Sequence, residues 1–344
     1  MRRFSLKPGD FIVSCSGTIG RIFQIPEGAV EGIINQALLK IKINSEIINP
    51  RYFLNYFRWD KIQSHILDST QGGAIQNLVG MSLFRATPIA LPSMPEQIRI
   101  AEALDDSGRA ITTLERLIAK KQAIKQGMMQ QLLTGKTRLP GFTDEWSEST
   151  LSDLAHIISG GTPRSSVPAY WNGGLAWCTP TDITREKGRY LRTTERTISR
   201  EGLEKSATQF LPKGSLLLCT RATIGELKIS LVPITTNQGF KSLVPKPGVS
   251  SEFLYYKMLT LKDELTGYGT GSTFLEVSRR DVAGLRLTAP KTEEQYAIAV
   301  VLSDADDEID AFRRRLAKAK AIKQGMMQEL LTGRTRLPVK ETPK

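Results

Sequence analysis

The stretch Leu133-Thr134-Gly135-Lys136-Thr137 ends like a phosphate-binding loop, in which backbone N–H groups and a lysine would cradle a nucleotide. Such a loop needs another glycine five residues before its last one, and residue 130 is Gln130. A second copy of the stretch carries Arg334 in place of Lys136, so a helix stop or a subunit contact accounts for both copies better than a nucleotide site. Gly160-Gly161-Thr162-Pro163 lacks the spacing of a dinucleotide fingerprint and reads as a tight turn between strands or as a DNA-facing loop. Cys15, Cys178 and Cys219 form no C-x-x-C pair, and with only His65 and His156 beside them a zinc site is not expected. They read as small buried hydrophobes. No methyltransferase-like Asn/Asp-Pro-Pro-aromatic tetrad, Walker pair or nuclease-like carboxylate pair with lysine is found, so a chain without a catalytic site, metal or cofactor is expected.

What remains is charge. The 47 Lys and Arg against 35 Asp and Glu give a net charge of +12, which favours a polyanionic partner, nucleic acid first and an anionic membrane surface second. Candidates for phosphate contact are Arg21, Arg164, Arg185, Lys187, Arg189, Arg192, Arg279 and Arg280. Thr181, Arg221, Thr223, Asn237, Gln238, Ser272, Thr273, Asn35 and Gln36 are polar candidates that either read bases or build the scaffold. No apolar run approaches the ~20 residues of a membrane span, and the first residues carry no signal-peptide pattern, so a cytoplasmic protein is expected.

The elements that position these residues occur twice. Residues 123–140 (AIKQGMMQQLLTGKTRLP) and 321–338 (AIKQGMMQELLTGRTRLP) agree at sixteen of eighteen positions. The same offset of 198 relates Glu96-Gln97 to Glu294-Gln295, and Gly73-Ala74-Ile75 to Gly271-Ser272-Thr273. Upstream it drifts, pairing Asn35-Gln36 with Asn237-Gln238 and Thr18-Ile19-Gly20 with Thr223-Ile224-Gly225, as loop insertions would produce. Residues 142–205 have no counterpart, so the first unit reads as a shortened copy of the second. Each unit opens with short apolar runs broken by Gly and Pro turns, predicting strands, with helices over 50–66 and 251–264.

From Pro95 to Leu133 and from Thr292 to Leu331 the composition turns helical. The apolar stripe is Leu104, Ile111, Leu114, Ile118, Ile124, Met128 and Leu132 in one helix. Its copy is Leu302, Ile309, Phe312, Leu316, Ile322, Met326 and Leu330. Steps of mainly three, four and seven are close to a coiled-coil seam. Thr134-Gly135 and Thr332-Gly333, with Pro140 and Pro338 beyond, are stop signals. Such long helices need a partner, and the simplest is the other copy, packed antiparallel. Arg313-Arg314-Arg315 is expected on the outside, facing DNA or a partner.

This order of parts resembles the specificity subunit of type I restriction–modification enzymes. The resemblance is carried by Gly160-Gly161-Thr162-Pro163, Tyr170-Trp171-Asn172-Gly173-Gly174, Trp177 to Asp182, Arg221-Ala222-Thr223-Ile224-Gly225, Asn237-Gln238-Gly239-Phe240, Gly271-Ser272-Thr273-Phe274 and Glu294-Gln295. It implies an α+β fold: two strand-rich target-recognition domains, the first incomplete, separated and followed by two long helices packed as an antiparallel coiled coil. The expected divisions are 1–92, 93–135, 141–290 and 291–334. The resemblance further implies double-stranded DNA as ligand, with modification and restriction subunits as partners. S-adenosylmethionine, ATP and Mg would belong to those partners. Because the first recognition domain lacks the part matching Gly160 through Arg200, the chain is expected to associate with a second copy or to read one half-site well. A coiled-coil scaffold that organises other proteins is the alternative; it accounts for the helices but not for the duplicated strand-rich domain.

Overall fold

The computed structural model describes residues 5–68, 77–78, 80–269 and 275–338. The chain divides into two compact units: residues 1–118 with 311–344, and residues 119–310. Each unit holds one strand-rich lobe and part of each long helix.

Lobe 1 contains β1 (Ser5–Leu6), β2 (Phe11–Ser14), β3 (Ile22–Gln24), β4 (Gly32–Ile33) and β5 (Leu38–Ile41), then α1 (Pro50–Phe57), α2 (Asp60–Ile66), β6 (Leu67–Asp68), β7 (Asn77–Leu78) and α3 (Met81–Arg85). Its main sheet is antiparallel in the order β3-β2-β5, with Phe11 opposite Gln24 on one side and Ile41 on the other. The helix expected over 50–66 is broken: Trp59 is extended, which ends α1 and lets α2 restart at Asp60. Asn49 starts α1 by accepting the backbone N–H groups of Arg51 and Tyr52, with Pro50 in the first turn, where its missing N–H costs nothing. α1 buries Tyr52, Phe53, Tyr56 and Phe57.

Helix α4 (Met94–Leu132) leads to lobe 2, which begins with β8 (Ser147–Thr150), α5 (Leu151–Leu154), β9 (Ala155–Ser159) and β10 (Trp171–Cys178). It continues with α6 (Pro180–Arg185), β11 (Tyr190–Leu191), β12 (Arg196–Ile198) and α7 (Arg200–Glu204). Next come β13 (Leu216–Leu218), β14 (Leu227–Ser230), β15 (Thr235–Thr236) and β16 (Lys241–Pro245). α8 (Ser251–Thr260), α9 (Lys262–Gly267), α10 (Arg279–Gly284) and β17 (Arg286–Ala289) close the lobe before α11 (Thr292–Leu330). One sheet runs β11-β14-β13-β16-β9, a second β12-β10-β15, and β17 pairs with β8.

α4 and α11 each span 39 residues, roughly 58 Å at 1.5 Å per residue. Both stop at a glycine in the left-handed region, Gly135 (φ 71°) and Gly333 (φ 73°). Cross-helix ion pairs fix their direction within each unit. In unit 1, Glu115 meets Lys320 at 2.7 Å. In unit 2, Lys121 meets Glu308 at 2.7 Å and Lys125 meets Asp306 at 2.6 Å. As residue numbers rise on α4 they fall on α11, which is the antiparallel arrangement.

The seam differs from the expected stripe at its ends and at one repeated position. Ile100, Ala101 and Leu104 of α4 join Met327 and Leu330 of α11, and Leu331 just beyond it, inside the core of lobe 1. Met129, Leu132, Leu133, Ile298, Ala299 and Leu302 do the same in lobe 2. The helices therefore bury their ends in the lobes and not only against each other. Ile118 and Ile309 are buried, while Ile111, Leu114, Met128, Phe312, Leu316 and Met326 are half-buried. Ile124 and Ile322 are 46% and 51% exposed, off the seam in both copies. A 3.6-residue turn drifts from a heptad repeat, so a stripe written in sevens leaves the interface after a few turns.

Candidate nucleic-acid interface

Lobe 2 holds a cation against two indoles. In the β10–β12 pair, Trp171 and Leu175 both face Ile198, so Asn172, Gly173 and Gly174 are extruded as an exposed bulge. Asn172 (φ 62°) and Gly174 (φ 86°) are left-handed, and a Cβ on Gly173 would stand 2.3 Å from Ser199 Cα. At the root of the bulge the rings of Trp171 and Trp177 meet edge to face at 5.0 Å. The Arg196 guanidinium lies 3.8 Å from the Trp171 ring and 5.3 Å from that of Trp177. Trp177 Nε1 donates to the Gly161 carbonyl at 3.0 Å and Trp171 Nε1 to that of Arg164 at 3.2 Å, tying the Gly160–Pro163 turn to the hairpin.

That turn is tight for a steric reason. A Cβ on Gly160 would lie 1.9 Å from the Asn237 carbonyl oxygen, and one on Gly161 2.4 Å from Thr208 N. The close approach brings the Thr162 hydroxyl to the Gln238 amide oxygen. Thr162, Arg164, Arg196 and Gln238 thus form an exposed polar surface backed by tryptophan. Among the described residues neither Arg164 nor Arg196 has a carboxylate within ion-pair distance. A stacked guanidinium keeps its donor fork outward at little further entropic cost, suited to phosphate or to a guanine edge.

Of the other residues singled out in the sequence, several are engaged within the protein. Arg185 meets Asp182 and Glu195, each at 3.2 Å. Arg189, only 10% exposed, reaches Asp307 of α11 at 2.8 Å and fastens the lobe to the helix. Arg221 and Lys241 share Glu276 at 2.5 and 3.0 Å. The Thr223 hydroxyl is buried. Asn237 accepts the Gly239 N–H at 2.9 Å and Asn35 the Ala37 N–H at 3.0 Å, the same turn built twice. Arg21, Gln36, Thr181, Lys187, Arg192, Arg279 and Arg280 are exposed. Ser272 and Thr273, with Gly73-Ala74-Ile75 and Gly271 to Phe274, lie outside the described residues. Arg196 and Trp171 escaped attention as a pair because the bulge, not sequence spacing, brings them together.

The thiols of Cys178 and Cys219 are fully buried, and burial pushes their pKa values up, that of Cys219 to about 12. Among the described residues no cluster of His, Cys, Asp and Glu is arranged to hold a metal, and no helix is long and apolar enough to cross a membrane.

The helix ends carry a clamp that also recurs. Arg138 grips Glu294 with two hydrogen bonds of 2.7 and 2.6 Å, and Arg336 grips Glu96 at 2.7 and 2.5 Å. Arg336 holds the Glu96 carboxyl below its ordinary pKa against the opposing effect of burial. The neighbouring glutamines anchor each helix to its lobe: Gln97 accepts Asn49 N at 2.8 Å, and Gln295 accepts Ser250 N at 3.1 Å. The repeat is not confined to such buried parts. Ala123, Ile124, Gln126 and Gln130 are exposed, as are their identical counterparts Ala321, Ile322, Gln324 and Gln328. Internal packing does not require identity at exposed positions; one surface presented twice does.

A family model, the type I restriction modification DNA specificity domain, matches residues 2–126 and 143–321. The type I restriction enzyme MjaIX specificity subunit of Methanocaldococcus jannaschii is 37% identical over 168 residues, covering 48% of this chain and 39% of that protein. The putative MjaX specificity subunit of the same organism is 24% identical over 351 residues, covering 97% of this chain and 80% of that one. In fold, the chain is similar to the HsdS subunit of Thermoanaerobacter tengcongensis (TM-score 0.51, 22% identity, 96% of this chain and 82% of that one). It is also similar to the S subunit of M. genitalium (TM-score 0.60, 13% identity, 96% and 85%).

Proposed function

The chain belongs to the type I restriction modification DNA specificity family, and from that premise we propose that it selects the DNA sequence on which a modification and restriction complex acts. The observation that carries this reading is the exposed Arg164–Arg196 surface of lobe 2, organised by Trp171 and Trp177. Base edges are read by such oriented polar groups, whereas affinity comes from Lys and Arg on phosphates. Lobe 2 reads one half of a divided target in the major groove, and lobe 1 contacts the other half.

The twice-presented helix surface docks two copies of one partner, the modification subunit. Ile124 with Gln126 and Ile322 with Gln324 sit at the centres of the two contacts. Methyl transfer from S-adenosylmethionine, and translocation and cleavage driven by ATP and Mg, reside on the modification and restriction subunits. This chain supplies placement, holding DNA so that a base on each side of the gap faces a partner's active site.

The test is binding of the chain, assembled with its modification subunits, to duplexes bearing the methylated motif of the host and to scrambled ones. The motif duplex is expected to bind at least 10³-fold more tightly, in the usual range for specific over non-specific DNA binding. Equal affinity for both overturns the reading and leaves a coiled-coil scaffold.

A further inference from the structure

The two long helices differ in charge at three matching positions. Asp306, Asp307 and Glu308 of α11 have Gly108, Arg109 and Ala110 as counterparts on α4. In unit 2 the three carboxylates receive Lys125, Arg189 and Lys121. In unit 1 the counterpart of Lys125 is Lys323, and it faces a glycine: a Cβ on Gly108 would lie 3.0 Å from its Nζ. The nearby Asp105 is already occupied by Arg51 at 2.6 Å and by the Asn55 amide at 2.8 Å.

Lys323 therefore projects, half-buried, into an open cleft of about 640 Å³ that Arg58, Arg109 and Arg116 also line. Among the described residues Arg58, Arg116 and Lys323 have no carboxylate within ion-pair distance, and Arg109 meets only the exposed Asp106. Burial and the neighbouring Arg58 push the Lys323 ammonium below its ordinary pKa, with Asp105 opposing them. Like charges gathered at one cleft cost free energy that an anion would offset. The lining includes no aromatic ring on which a base could stack, so a nucleotide is a poor fit. Separate cations around an open cleft suit the phosphodiester of a continuous strand.

We propose that this cleft, between the end of α1 and the middle of α4, holds a backbone phosphate of duplex DNA without regard to sequence. The inference rests on the DNA-specificity reading and adds to it a contact on the helix side of lobe 1. Among the described residues unit 2 repeats no such contact, because Asp306 neutralises Lys125, the counterpart of Lys323.

The decisive variant is Gly108→Asp, which gives Lys323 the carboxylate that Lys125 has. Replacing a helical glycine and forming an ion pair leaves the unfolding midpoint unchanged or higher. Binding of the complex to a random-sequence duplex of about 30 base pairs is expected to weaken roughly 3- to 10-fold at moderate salt, and the slope of log K against log salt to shrink by about 0.9. Lys323→Ala has the same effect on DNA, and neither variant alters the methylated motif. An unchanged slope in both variants overturns the inference. So does weakened assembly with the modification subunit at unchanged slope, which assigns the cleft to an acidic protein surface. Failure of the unaltered complex to bind duplex at all defeats the parent reading instead.

Discussion

Lobe 1 and lobe 2 share three central strands, β3-β2-β5 in one and β14-β13-β16 in the other, but among the described residues it is lobe 2 that flanks them, with β11 and β9. The consequence appears on matching residues. Phe23 of β3 is 55% exposed, whereas its counterpart Lys228 in β14 is buried and donates to the Gly188 carbonyl, in a segment that occurs once in the sequence. That segment, residues 142–205, also supplies Trp171, Trp177 and Arg196. The difference separates two jobs within one repeat. Strands, clamps and helices recur because they hold the frame, while the Trp171–Arg196 surface lies on a segment that occurs once.

The largest effect that would probe this contrast comes from core truncation. Phe11 and Leu216 occupy matching positions at the start of β2 and β13, both fully buried. Phe11→Ala is expected to cost about 3–5 kcal/mol and Leu216→Ala about 2–5 kcal/mol. Among the described residues no strand flanks β3-β2-β5, and calorimetry should show Phe11→Ala lowering an early transition and Leu216→Ala a later one. A single transition moved alike by both would mean that the lobes do not differ in stability.

A smaller effect sharpens the functional half of the contrast. Arg196→Ala should cost about 1–3 kcal/mol on the methylated-motif duplex, roughly 5- to 150-fold, and little on a scrambled one. Equal loss on both would make Arg196 a phosphate contact and not a reader.

Smaller again is a pH effect confined to unit 2. Lys257 is buried, donates to the Leu133 carbonyl at 2.8 Å, and is pushed by burial to a pKa of about 8. Below pH 8 it carries a charge in both the folded and unfolded chain. Between about 8 and its ordinary value the unfolded chain binds more protons, so stability rises with pH across that window. Urea titrations from pH 7.5 to 10 should show the rise, and Lys257→Met should remove it. The smallest contrast lies in the clamps. Glu294→Gln should destabilise more than Glu96→Gln, because Arg138 is 25% exposed and Arg336 67%, where solvent screens the pair.

Much of the frame was legible in the sequence. The repeat located both helices to within a residue or two, since propensity, stop signals and an internal copy agreed. The surface of lobe 2 was half legible: Arg164 and Gln238 were named, but Arg196 depends on a bulge that spacing does not reveal. Arg189 read as a free cation because its partner Asp307 is 118 residues away. Ile124 and Ile322 fitted the apolar period yet face outward, since periodicity identifies a stripe without fixing what covers it. Gly108 and Asp306 differ between the copies, and only cross-helix pairing gives that difference a consequence.

The account turns on the claim that lobe 2 carries its own reading surface while the repeated frame serves both sides. The most direct measurement replaces residues 143–290 with the matching segment of another family member and sequences the methylated motif that the reassembled complex produces. One half of the motif should change, with the other half and the gap preserved. A motif altered in both halves, or in neither, would contradict the account.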